Sequence, residues 1–421
     1  MSVPASGSVT APRELAPSDP PDEFDPGWAG LGAALPAGAA MLCVTGSGSA
    51  DRPGLSMTWH QARNVQSASN RPELPELGLS LARLMKEAEA APAPARGEGP
   101  WEGAYYEVRS WWHHQSTLVR WIRDLFSAGP RPRLVIWDNT AHNIPWELFY
   151  HQPSAQSGGP EGWLGELVPV VRWTSVHDGD RVAGYSAAEH VNTGGLLMLE
   201  EESLARPTDA FAEYLVEPPH RTVDTFMRRL DRPEDGPFGL VMIRCHGFYS
   251  PSGREFSIGG PSLNRLAGYP MKTLRAFTPP VVLNSCSSGQ AIEDDRLPDR
   301  PVRSFVELFL RQGASAVVAV IGDIDSDHSH EFATRLLRTA TDRPVNLAEA
   351  LREHRRYYYQ RIEREPSGSD TPDPEQDYKR FLTSFLYVYY GHPDTTLHLT
   401  PPGCGGPEGD GTGGPEEGTA R

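Results

Sequence analysis

The sequence predicts an α/β protein with a mostly parallel central sheet and helices on both faces, and three observations predict it. Residues 239–244 (GLVMIR) and 280–284 (PVVLN) are short apolar, β-branched runs bounded by Pro and Gly, as expected of strands buried on both faces of a parallel sheet. Leu77, Leu81, Leu84 and Met85 share one helical face, and Tyr105, Val108, Trp112, Leu118, Ile122 and Leu125 extend a second apolar face. Asn346 followed by Glu349 has capping-box spacing and opens a helix carrying Arg352 to Tyr359.

Taken in order, residues 1–36 are rich in Pro, Ser and Gly, cannot repay their ordering entropy, and are predicted to be disordered. A strand over 40–45 is followed by the Gly-rich turn TGSGSAD (45–51), which lacks both the third Gly of a dinucleotide fingerprint and the Lys of a P-loop. Residues 37–100 form a region of uncertain fold that ends in the Ala/Pro linker APAPARGEGP (91–100). The main body, 101–400, begins with the second helix, whose WWHH run (111–114) reads as surface and packing face. Next come a strand at 133–137, a helix entered through Ile144-Pro145-Trp146-Glu147, strands at 167–173 and 194–199, and a helix near 208–216. The stretch EPSGSDTPDPEQD (365–377) is expected to be mobile, and the Gly/Pro-rich end 401–421 is predicted to be a disordered tail.

Composition narrows the function classes. A formal net charge of -16 opposes broad binding to nucleic acid or anionic membranes, because phosphate contacts need clustered cations. No apolar run approaches the ~20 residues of a membrane span, and no charged-then-apolar leader opens the chain, so a cytoplasmic protein is expected. Four scattered cysteines give no disulfide framework, which fits a reducing compartment. No repeat of 30–40 residues is visible, and no G-x-S-x-G elbow supports a serine hydrolase.

The chemistry lies at two strand ends. His246 and Cys286 each follow one of the buried-type strands, in the crevice where open α/β sheets hold ligands. A thiol with an ordinary pKa of roughly 8.5 is only a few per cent ionised near neutrality, so a nearby imidazole must take or hold its proton. Gly247 lets the backbone pass close to a substrate, and its amide with that of Cys286 can face a developing oxyanion. Cys245 alternates to the other face of its strand and reads as core packing, as does Cys43 in MLCVT; Cys404 has no visible partner in its tail.

The strings CHGF (245–248) and VVLNSCSSG (281–289) resemble those of the CHAT family, a bacterial branch of the caspase-like cysteine peptidases that also includes separase and gingipains. RLVIWDNTAHNIPWELF (133–149), RSFVELFLRQGASAVVAVIGDI (303–324), NLAEALREHRR (346–356) and YVYYGHPDTTL (387–397) resemble the family's flanking motifs, so the likeness covers roughly residues 100–400. It implies a caspase-like three-layer sandwich and a cysteine endopeptidase with Cys286 as nucleophile, His246 as general base, and the Gly247 and Cys286 amides as oxyanion hole. It further implies a protein or peptide substrate, no cofactor or metal, and a dormant protease switched on in bacterial conflict or antiphage defence. Without sensor repeats of its own, control would fall to a separate partner or to the first ~130 residues.

Departures from the family pattern bear on specificity. Relatives carry a Trp and a distal Asp where this chain has Gly322, Asp323, Ile324, Asp325 and Ser326. Asp323 or Asp325 suits a pocket for a basic side chain before the scissile bond; alternatively Asp325 or Ser326 caps the helix beginning near His328. GDIDSDHSHE (322–331) lacks the mid-loop Gly and terminal acid of a calcium loop, and Glu293-Asp294-Asp295 is either an active-site loop or a solvated turn. The alternative to an enzyme is an idle scaffold of the same fold whose partner surface matters.

Overall fold

A computed structural model describes residues 39–402, apart from 50–51, 62–63, 67–80, 93–97, 112–115, 128–131, 139, 141, 154–158, 179–180, 184–188, 207–208, 251–254, 294–301 and 364–372. The tail at 1–36, the rest of the tail beyond Pro402, Leu77, Trp112, His113, His114, Asp294, Asp295 and Cys404 lie outside the described residues. The strands β1 (Ala39–Ser49), β2 (Arg52–Gln61), β3 (Asn64–Gln66), β4 (Arg133–Asp138), β5 (Val170–Trp173), β6 (Leu196–Glu200) and β7 (Leu240–Arg244) belong to one central sheet. A separate hairpin of β8 (Gly247–Ser250) and β9 (Glu255–Ile258) follows, and β10 (Val281–Leu283), β11 (Ala316–Val320) and β12 (Tyr387–Gly391) complete the central sheet. Its ten strands run in the order β6-β7-β10-β11-β12-β5-β4-β1-β2-β3.

This sheet consists of two parallel blocks. β6, β7, β10 and β11 are mutually parallel, while β12 returns antiparallel to β11. β12 then meets β5 in parallel through the single register pair Tyr390 with Arg172, and β5, β4 and β1 continue parallel. β2 and β3 close that edge antiparallel. The carboxyl ends of β6, β7, β10 and β11 therefore open on one edge of the sheet, and those of β1, β4 and β5 on the opposite edge. Every residue of β6, β7, β10 and β11 is buried, as a parallel sheet covered on both faces requires.

The longer α-helices among the described residues are α1 (Leu81–Ala90), α2 (Pro100–Trp111), α3 (Ser116–Ser127), α4 (Val223–Leu230), α5 (Lys272–Phe277), α6 (Phe305–Arg311), α7 (Ser326–Asp342), α8 (Leu347–Glu363) and α9 (Pro374–Ser384). Side-chain caps fix several starts: Ser304 accepts from the Glu307 amide at 3.0 Å, and Asn346 from Glu349 at 2.9 Å, as the capping-box spacing predicts. α2 follows Gly99, which has no side chain to cap with. The Glu375 carboxylate of α9 substitutes, taking the amides of Trp101 at 2.9 Å and Glu102 at 3.2 Å. Among the described residues no helix is long and apolar enough to cross a membrane.

Several expectations are corrected. The Gly-rich stretch 45–49 is strand, not turn, because β2 pairs with it residue for residue as far as Ser49 with Arg52. The helix expected after Ile144-Pro145 is only a short 3-10 turn at Trp146–Leu148, since Phe149 is already extended and Glu147 is drawn inward to Arg172. The segment near 208–216 is a 3-10 stretch, Asp209–Tyr214, broken by non-helical backbone at Phe211. Of the helix expected over 105–125, the described residues form α2 as far as Trp111 and α3 from Ser116, and 112–115 lie outside the described residues. Part of the stretch expected to be mobile, 365–377, is helix from Pro374 on, with Asp373 accepting from the Glu375 amide at 3.1 Å.

Candidate active site

The register of β7 and β10 builds the site. Val241 pairs with Val281, Met242 with Val282 and Ile243 with Leu283, and the Asn284 amide still bonds the Ile243 carbonyl at 2.9 Å. Continuing that constant offset sets Cys245 opposite Ser285 and His246 opposite Cys286. The first of these is visible directly, as the Cys245 sulfur lies 3.9 Å from the Ser285 hydroxyl. Beyond the paired residues of β7 and β10 both segments leave the strand, through a bend at Cys245 and through a bend at Ser285 that runs into a turn from Cys286. Val223 of α4 lies near Cys245, and the Asn284 amide group reaches the Ser329 carbonyl of α7 at 2.9 Å. Helices thus flank the sheet.

The two chain segments touch. A methyl group on Gly247 would stand 1.9 Å from the Cys286 carbonyl oxygen and 2.7 Å from the Ser285 hydroxyl, so only Gly fits between them. The His246 backbone is held on both sides, its amide on the Glu201 carboxylate at 2.9 Å and its carbonyl by the Gly259 amide at 2.8 Å. The imidazole is exposed, with Nε2 3.2 Å from the Ser203 hydroxyl.

Cys286 is a free, half-buried thiol whose sulfur takes the Ile324 amide at 3.4 Å and faces the Ile324 carbonyl at 3.5 Å. No hydrogen bond joins the sulfur to the imidazole, whose partner is Ser203. Burial pushes the Cys286 thiol up, the Asp323 and Asp325 carboxylates add to this, and the Ile324 amide and the residue's own amide partly offset it. Such a thiol needs a proton acceptor to react near neutrality. Cys245 and Cys43 are buried as predicted, with burial pushing Cys245 up to about 12.

The loop carrying the sulfur is pinned along its length. Tyr387 of β12 donates its hydroxyl to the Asn284 Oδ1 at 2.8 Å. Ser288 bridges the Leu283 carbonyl at 2.9 Å and the Val320 amide at 3.1 Å, and the Gln290 amide group donates to the Ile321 carbonyl. Ser287 sits at φ 56°, a left-handed conformation that costs a non-glycine residue about 1–2 kcal/mol, and its amide is tied to the Gly322 carbonyl at 2.8 Å.

Asp323 is exposed and accepts from the Ser287 hydroxyl at 3.3 Å. Asp325 caps α7, its Oδ1 taking the His328 amide at 2.7 Å. A cavity of about 390 Å³ lies beside Cys245 and is lined by Glu201, Arg221, Asp224, Cys245, Gly259 and Arg265 among others, not by either of these aspartates. Glu201 and Ser203, which hold His246, were not foreseen, because EEESL (200–204) reads as an ordinary acidic turn.

Beneath the site, His328 and His354 are buried against each other and against Tyr358 and Tyr387, and none of their four ring nitrogens has a hydrogen-bond partner. Burial pushes His328 down to about 4 and holds His354 well below its ordinary value. An unfolded histidine takes a proton near pH 6.5 while these do not, so stability is full above about pH 6.5 and is lost as pH falls toward 4. We predict that the melting temperature drops between pH 7 and 5, with His328 alone contributing about 3 kcal/mol over its full range, and that His354→Phe flattens this slope. An unchanged slope in the variant would contradict it.

Residues 117–378 match the CHAT domain, and the chain belongs to that family. Two crystal structures of the Saccharomyces cerevisiae separase–securin complex, at 3.0 and 2.6 Å resolution, are similar, with TM-scores of 0.44 and 0.43 and identities of 10% and 9%. Each covers 88% of this chain, which spans 30% and 31% of those chains. A search of curated proteins finds no match.

Proposed function

We propose that the protein is a cysteine endopeptidase working through His246 and Cys286. One observation carries the reading: the segments holding His246 and Cys286 follow the adjacent parallel strands β7 and β10 and touch there, with the Gly247 backbone against the Cys286 carbonyl. His246 takes the thiol proton, the sulfur attacks the scissile carbonyl, and the protonated imidazole then gives its proton to the leaving amine. The amides of Gly247 and Cys286 receive the oxyanion, at about 3 kcal/mol per donor. Asp323, with Asp325 beside it, selects a basic side chain before the scissile bond; Asp323 has the freer carboxylate because Asp325 is engaged as a cap. Control by a separate sensor or activator protein, in antiphage defence, is inferred from family membership.

The test is labelling with an irreversible acyloxymethyl ketone on a peptide ending in Arg. Rapid labelling at Cys286 that disappears in both Cys286→Ala and His246→Ala supports the dyad, and a weaker reaction with a peptide ending in Ala supports the acidic pocket. Slow labelling indifferent to His246 would instead establish an idle scaffold, the reading favoured by a sulfur that bonds Ile324 and not the imidazole.

A further inference from the structure

We infer that Ser203 is a positioning residue that fixes the His246 ring so that Nδ1 is the nitrogen left to serve Cys286. The inference rests on the peptidase reading for its kinetic consequence, but the contact itself does not. A neutral imidazole carries one proton on two nitrogens, and whichever nitrogen is occupied by a neighbour decides the role of the other. Here Nε2 is the occupied one, 3.2 Å from the Ser203 hydroxyl. With that hydroxyl accepting, Nε2 holds the proton and Nδ1 presents its lone pair.

The placement of Ser203 is built by the same residues that hold His246. Ser203 lies in the short turn Glu202–Leu204, closed by the Leu204 amide on the Glu201 carbonyl at 2.9 Å. At its start, the Glu201 amide bonds the Arg244 carbonyl at 2.9 Å and the Glu201 carboxylate takes the His246 amide at 2.9 Å. Below it, Glu200 and Arg244 form a fully buried ion pair, with Arg221 also on the Glu200 carboxylate at 3.2 Å. On the far side, Arg206 bonds Asp327 at the start of α7, 2.7 Å away. One turn therefore grips both the backbone and the ring of His246, and this fixes the ring's torsion relative to the strand that carries it. When the imidazole becomes an imidazolium during catalysis, the hydroxyl accepts a charge-assisted hydrogen bond, which is stronger than the neutral one.

Two measurements test this. In the Cys286→Ala background, where no catalysis can occur, the ring-nitrogen NMR shifts of His246 are expected to place the proton on Nε2, to lose that preference on Ser203→Ala and to regain it on Ser203→Thr. In the otherwise native enzyme, Ser203→Ala is expected to lower kcat about tenfold with KM changed less than about twofold, again restored by Thr. A tautomer preference indifferent to Ser203→Ala, or a loss that Thr does not restore, overturns the assignment. If the native protein hydrolyses no peptide, the peptidase reading fails, while the ring-nitrogen shifts still decide whether Ser203 governs the ring.

Discussion

Gly247→Ala is expected to leave a folded protein that turns over peptide at least about 100-fold more slowly than the parent. The added methyl would lie 1.9 Å from the Cys286 carbonyl oxygen and 2.9 Å from its carbon, both backbone atoms that cannot rotate away. Restoring ordinary contact near 3.4 Å requires the two loops to part by roughly 1.5 Å. A misplacement of about 1 Å costs about 10²-fold in a reaction that depends on near-attack geometry, and an oxyanion donor drawn out of line costs about as much again. The stability loss should be smaller, about 1–3 kcal/mol, as is usual for overpacking. The measurement is kcat on a peptide substrate alongside chemical denaturation. A variant with kcat within a few-fold of the parent would mean that the Gly247 amide and the Cys286 loop do not act together.

The same pair of strands explains what could be read from the sequence. Buried parallel strands are continuous apolar runs, so LVMIR and VVL announce themselves, and a polar residue immediately beyond such a run is necessarily at the sheet's rim. The rim position of His246 and Cys286, each shortly past its run, was legible for that reason. Their register was not, because period-two alternation states which face a residue takes and says nothing about which strand lies beside it. The split into two opposed parallel blocks escaped for the same reason. Glycines in TGSGS suggested a turn, yet the segment pairs as strand with the stretch preceding SMTWHQ, Ser47 opposite Gly54 and Gly48 opposite Pro53. Glu201 and Ser203 carry no local signature at all. They matter only because β6 lies next to β7, which brings the turn after β6 against the His246 loop.

Glu147→Ala is expected to destabilise the protein by about 3–5 kcal/mol, the range for removing one partner of a buried ion pair. Glu147, Arg172 and Arg355 are all buried, and the Arg172 guanidinium forks onto the Glu147 carboxylate with Nε at 2.9 Å and a second, shorter contact through its terminal nitrogen. Burial alone would raise the Glu147 carboxyl, but Arg172 and Arg355 overcome this and hold it below its ordinary value. Burial brings Arg355 down to about 10 in spite of the same carboxylate. With Glu147 gone, two guanidinium groups stay buried without a carboxylate bonded to them, held by the Ile144, Gly165 and Tyr387 carbonyls, with Tyr390 and the more distant Asp138 the groups left to act on Arg172. The cluster also sits where the sheet is most thinly joined, since Arg172 is itself the residue that pairs β5 with β12. Arg355 grips the Tyr387 carbonyl, and the Tyr387 hydroxyl holds Asn284, two residues before Cys286. Loosening this seam should therefore reach the thiol: kcat falls together with the urea midpoint in Glu147→Ala, and Glu147→Gln, which keeps the shape and some hydrogen bonding, falls between. A Glu147→Ala protein within about 1 kcal/mol of the parent would show that the two blocks hold together without the carboxylate.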